Sequence, residues 1–118
     1  YIFSHAGINK EYAYNCFGNR VNENNVVDLF NKAYREDNYG IMESLGLISY
    51  WRGGWRANYG SLVWADAREF LQDNQEAYGF SIVGHTQLRE PIIENKFAFI
   101  DVRACFTLNN DGKIEKYY

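Results

Sequence analysis

Cysteine is scarce in this chain. Cys16 and Cys105 are too few for a disulfide framework and lack the paired spacing of a thiolate metal site. They read as small apolar residues in a reducing compartment, which points to the cytoplasm. Basic charge is scarce as well. The chain has 12 Lys and Arg against 15 Asp and Glu, a net charge of −3, and only Arg52 and Arg56 sit together. A nucleic-acid surface needs a basic footprint, so no such partner is expected. No apolar run approaches the ~20 residues of a membrane helix, so no membrane partner is expected either. Proline occurs once, at Pro91, in a polar connection. A signal peptide and an initiator methionine are both missing. Tyr1 and Ile2 open straight into an apolar run without a polar lead-in, as a cut chain would.

At 118 residues with 47% hydrophobic content, the chain is one domain at most and can bury a core. Aromatic residues make up 18% of it, ten of them tyrosines, which fits either core packing or a stacking surface.

There are only two histidines, and their contexts match. Phe80-Ser81-Ile82-Val83-Gly84-His85-Thr86 reads as a buried strand that turns at Gly84 and delivers an imidazole past its end. Tyr1-Ile2-Phe3-Ser4-His5-Ala6-Gly7-Ile8 repeats the arrangement. Ligands in layered α/β proteins gather at such strand ends. A histidine there can bind a metal, move a proton, or simply cap the strand.

The remaining elements follow from pattern. Residues 9–21 read as a loop, with Asn9, Asn15, Gly18 and Asn19 as turn formers and a helical turn around Glu11–Cys16. Residues 24–36 carry Val26, Val27, Leu29, Phe30, Ala33 and Tyr34 at the spacing of one helical face. Asn22 or Asn24 can cap that helix, and Asn38 to Gly40 stops it. Residues 41–60 read as a loop, because adjacent glycines in Trp51-Arg52-Gly53-Gly54-Trp55-Arg56 do not suit a helix or central strand. The guanidinium fork of Arg52 suits phosphate oxygens. The competing reading is an exposed loop with arginines stacked on tryptophans. Ala67 to Ala77 reads as a short helix with Phe70 and Leu71 facing inward. Lys96–Val102, Ala104–Leu108 and Lys113–Tyr118 read as strands, the last two joined by a turn at Asn109-Asn110-Asp111-Gly112.

Ile2-Phe3-Ser4-His5-Ala6-Gly7-Ile8, Val63-Trp64-Ala65-Asp66, Ile82-Val83-Gly84-His85-Thr86 and Phe99-Ile100-Asp101 come in an order that resembles the C-terminal half of a calcineurin-like metallophosphoesterase. The resembled branch is that of bacterial serine/threonine phosphatases and diadenosine tetraphosphatases. The likeness spans residue 2 to about 108 and is poor over 10–48. It implies the C-terminal part of a two-sheet α/β sandwich with outer helices and mostly antiparallel strands towards the end. An uncovered sheet in such a half would favour a homo-oligomer.

The resemblance also implies a chemistry, the hydrolysis of phosphate esters by two divalent metals, manganese, iron or zinc. By that likeness His5 and His85 would be ligands of one metal, and the guanidinium of Arg52, on the reading of its own loop, would be the substrate-phosphate contact. Asp101 would orient a metal-bound histidine from outside, or would be a plain strand-end carboxylate. The family's upstream Gly-Asp-x-His-Gly, Gly-Asp-x-x-Asp-Arg-Gly and Gly-Asn-His-Glu motifs are absent, as is the glycine of its Ile-Asp-Thr-Gly segment. The chain is therefore read as a phosphatase fragment that carries no catalytic acid and is inactive alone. Its substrate would be a phosphoprotein or a nucleotide. Two alternatives stand beside it: a dinucleoside polyphosphate hydrolase of the same family, and an interaction module that binds through Trp51 and Trp55.

Overall fold

The computed structural model describes residues 1–94 and 96–117, and among these the chain forms a mixed α/β fold with four helices and two sheets. One sheet is built from β1 (Ile2–Ser4), β2 (Ser81–Val83), β3 (Ile92–Glu94) and β4 (Phe97–Phe99), in the spatial order β1-β2-β4-β3. β1, β2 and β4 run parallel, with Ser4 beside Val83 and Val83 beside Phe99. β3 lies antiparallel on the outer side of β4. The second sheet is the hairpin of β5 (Cys105–Leu108) and β6 (Ile114–Tyr117).

The parallel arrangement has a sequence cause. All three residues of β2 are buried, as expected of a strand with neighbours on both sides and a layer over each face. It also has a positional consequence: the carboxyl ends of β1, β2 and β4 fall on one edge of the sheet. The strands read at 1–5 and after Phe80 are present, though shorter. Antiparallel pairing towards the C-terminus is only part of the pattern, because β4 joins β2 in parallel. Lys96–Val102 narrows to β4, beyond which tight turns from Ile100 to Ala104 end the strand. β3, which follows Pro91, lies in what reads as a connection. The hairpin turn at 109–112 forms as expected, with Gly112 in the left-handed region and its N–H donating to the Asn109 carbonyl at 2.9 Å. Tyr118, the end of the last expected strand, lies outside the described residues.

The helices differ more from expectation. Residues 10–17, read mostly as loop, form α1 (Lys10–Phe17). Asn9 is its cap and not a turn former: its Oδ1 accepts the Glu11 N–H at 2.9 Å, and Tyr12 and Ala13 bury the inner face. α2 (Val26–Arg35) buries Val26, Phe30 and Ala33, three positions of one stripe. Val27 and Tyr34, assigned to the same face, are exposed. The cap position is Asn25, neither Asn22 nor Asn24, and its side chain makes no cap bond; Asn22 instead closes the preceding turn, its side chain accepting from the N–H groups of Asn24 and Asn25. Asn38 both ends α2 and caps α3 (Tyr39–Ser44), whose existence within the expected loop was unforeseen. α4 (Ala67–Leu71) stops well before Ala77, with Asn74 turning at φ +55. Phe70 is buried there and Leu71 only half-buried.

Two apolar clusters hold these parts together. Tyr12, Val26, Phe30, Ile41 and Tyr59 gather under the helices. Phe70 packs against Phe97 and Phe99 where α4 covers the sheet. Of the described helices, none is long and apolar enough to cross a membrane.

Candidate metal and phosphate site

The parallel edge brings the two histidines together. His5 follows β1, His85 follows β2 by one residue after Gly84, and the Gly84 N–H donates to the His5 carbonyl at 3.0 Å. The side chains then meet. His5 Nε2 lies 2.8 Å from His85 Nδ1, with ring centroids 4.6 Å apart. The turn is not made by glycine. His85 itself sits at φ +63, a conformation that non-glycine residues seldom hold and that recurs at functional sites.

Arg52 reaches the same place from the loop after α3. Ser49 is fully buried, and the loop folds back over it, its Oγ accepting from the Trp51 N–H and its carbonyl from those of Arg52 and Gly54. A Cβ on Gly54 would stand 1.9 Å from the Ile48 carbonyl oxygen, so only glycine permits this closure. The resulting single 3₁₀ turn, Tyr50–Arg52, aims the guanidinium inward. Arg52 donates to the Ala65 carbonyl at 3.2 Å and to Thr86 Oγ1 at 3.1 Å, and its Nε is 3.4 Å from Asp66. Thr86, next to His85, also accepts the Ala67 N–H at 3.0 Å. The histidine turn is thereby fastened to the start of α4. Trp64 completes the surroundings, edge-on to the His85 ring at 5.6 Å.

The electrostatics follow from this packing. Burial, then the charges of Arg52 and His5, push the His85 imidazole below its ordinary value, against the pull of Asp66 and Asp101. His85 is therefore neutral at neutral pH. Burial alone would raise the Asp66 carboxyl. The hydrogen bonds of Arg68, with the charges of Arg68 and Arg52, outweigh it and hold Asp66 below the usual carboxylate range.

Chemically, a pair of imidazole nitrogens facing each other at this distance suits a shared proton or a shared cation. Two ligand nitrogens on one tetrahedral zinc lie about 3.3 Å apart, given zinc–nitrogen bonds near 2.0–2.1 Å. The pair would have to open only slightly. The outer nitrogen, His85 Nε2, is buried and has no hydrogen-bond partner among the described residues.

Of the four residues singled out in the sequence, His5, His85 and Arg52 thus converge. Asp101 lies on the same sheet edge, two residues beyond β4, and its charge reaches His85. Its carboxylate bonds neither histidine. Among the described residues its hydrogen bonding is through its backbone carbonyl, which accepts the Leu88 N–H at 3.0 Å. Trp51 is held within the fold, its Nε1 donating to Asp73 and Arg68 lying 4.9 Å over its ring, whereas Trp55 is exposed beside Arg56. Arg52 is stacked on neither.

The supporting role of two residues escaped the sequence reading, although Asp66 stands in one of the quoted motifs. Asp66 and the fully buried Glu69 form a reciprocal cap on α4, and Glu69 also accepts from Asn9 and the Gly60 N–H. Their three-residue spacing before an apolar pair is the sequence signal that was available. Compared with protein-family models, with curated proteins and with solved structures, the chain finds no match.

Proposed function

We propose that this chain forms part of the active site of a calcineurin-like two-metal phosphoesterase. His5 and His85 are ligands of one ion, and Arg52 meets the phosphate. The observation that carries this reading is the 2.8 Å approach of His5 Nε2 to His85 Nδ1 from adjacent parallel strand ends. A divalent ion there, manganese, iron or zinc, would lower the pKa of a coordinated water and offset charge on a phosphoryl oxygen.

The chain's own residues have defined tasks. His85, kept neutral, offers a lone pair rather than a proton. Asp66 holds Arg52 by charge while Arg68 takes up its other contacts. The N–H groups of Arg52 not directed at Ala65 and Thr86 remain for phosphate oxygens. Among the described residues no cluster of three or more His, Cys, Asp or Glu gathers. The reading therefore assigns the remaining ligands to residues outside this sequence, and expects no turnover by this chain alone. The sandwich fold of that family and a phosphoprotein or nucleotide substrate belong to the same reading.

Zinc and manganese titration by calorimetry, beside hydrolysis of p-nitrophenyl phosphate, tests it. Zinc should bind once, and His5→Ala or His85→Ala should each abolish that binding, with no hydrolysis by the unaltered chain. Zinc binding that survives both substitutions overturns the metal assignment. Turnover that His5→Ala removes would instead overturn the expectation of inactivity.

A further inference from the structure

One cavity lies away from both histidines and from Arg52. It occupies about 620 Å³ between α1, α3 and the loop from Gly46 to Tyr59. That volume falls in the range of small-molecule sites, roughly 300–1,000 Å³. We infer that this cavity binds a small amphipathic anion, an aromatic or aliphatic body carrying a carboxylate, sulfonate or phosphate.

The floor is apolar and well fixed. Tyr12, Ile41 and Tyr59 are 2%, 7% and 9% exposed and belong to one core cluster. Their polar atoms are already satisfied. The Tyr12 hydroxyl lies 2.8 Å from Ser44 Oγ, which donates to the Ile41 carbonyl, and the Tyr59 hydroxyl accepts from Asn15. Burial raises both the Tyr12 hydroxyl and the Cys16 thiol, so the floor carries no charge at neutral pH. It can take an apolar body without leaving a buried group unpaired.

The mouth is different. Arg20 and Arg56 both line it, each over an aromatic ring, Phe17 at 5.5 Å and Trp55 at 5.3 Å. Neither guanidinium enters an ion pair or a side-chain hydrogen bond among the described residues. Against them stands one lining carboxylate, Glu43. Two uncommitted guanidinium groups over an apolar floor match an anion with an apolar tail.

The test uses 1-anilinonaphthalene-8-sulfonate as anionic probe and N-phenyl-1-naphthylamine as its uncharged analogue. Cys16 lines the cavity, so it serves as the reporter once the exposed Cys105 is changed to serine. The sulfonate should bind saturably, one per chain, and slow maleimide labelling of Cys16 about fivefold or more, the loss of access that burial of a lining thiol produces. Arg20→Gln with Arg56→Gln removes only exposed side chains and should leave the thermal midpoint unchanged. This double variant should weaken the sulfonate about tenfold and leave the uncharged probe unaffected. Non-saturable binding, unaltered Cys16 labelling, or equal affinity in the double variant would each overturn the assignment.

Discussion

At the scale of single residues, His85 owes its lowered titration to burial first and to its charged neighbours second. It is only half-buried, yet Arg52 and His5 both press charge on it. Replacing Arg52 by alanine removes one of these and should raise the His85 titration midpoint towards the ordinary imidazole range, about 6.5. Proton-detected imidazole shifts across a pH series would show this. An unmoved midpoint would mean that the guanidinium charge does not reach the ring. Asp66 is the opposite case, a carboxylate 1% exposed that serves at once as helix cap and as counter-charge for two arginines. Asp66→Ala should cost about 1 kcal/mol for the cap and a further 1–3 kcal/mol for the charged hydrogen bonds, by urea unfolding. A loss below 0.5 kcal/mol, roughly that of an unremarkable surface change, would refute the dual role.

At the scale of elements, the Ile48–Gly60 loop owes its shape to its glycines as well as to the Ser49 and Glu69 side chains that accept its N–H groups. Gly53 and Gly54 look interchangeable in the sequence but do different work. Gly53 is left-handed at φ +89 with open space where a Cβ would stand, so Gly53→Ala meets only backbone strain, about 1–2 kcal/mol. Gly54→Ala drives a Cβ into the Ile48 carbonyl and should cost more, about 2–4 kcal/mol. It should also release Arg52 from Thr86, so that, on the proposed reading, the Gly54→Ala chain binds inorganic phosphate more weakly than the Gly53→Ala chain. Equal behaviour of the two variants would place the constraint elsewhere. The helices teach a related lesson. Periodicity located α2, but it assigned Tyr34 to the inner face, where only Val26, Phe30 and Ala33 are covered. Asparagine was ambiguous: Asn9 and Asn38 are caps, and a cap and a turn former use the same short amide.

At the scale of the whole molecule, Asp66, Glu69 and His85 give stability a defined dependence on pH on the acid side of neutrality. The folded values of Asp66 and His85 are depressed, so what each contributes is complete above its ordinary range and lost as pH falls through the folded value. Glu69 is raised, first by burial and against its hydrogen bonds, so its contribution is complete at low pH and declines as pH rises through the folded value. Stability should therefore fall on acidification below about pH 6.5, where His85 protonates in the unfolded chain, and fall again below about 3.9 as Asp66 does. His85→Gln should flatten the first step and Asp66→Asn the second, in thermal melts at a series of pH values. A profile that both substitutions leave unchanged would show that neither group is linked to folding.

The sequence by itself determined the class of the fold, the strand ends that carry His5 and His85, the existence of α2 and the hairpin turn. Each of these is local: a short apolar run, a 3.6-residue period, or a turn tetrapeptide sets it within a few neighbours. Tertiary structure decided the rest. That β1 and β2 run parallel, with residues eighty apart sharing an edge, is what turns two separate histidines into one pair. No local pattern encodes strand direction or the distance between two rings. Glu69, Asp66 and Thr86 were likewise invisible as a unit, because the bonds that join the helix cap, the arginine loop and the histidine turn exist only after all three have been packed together.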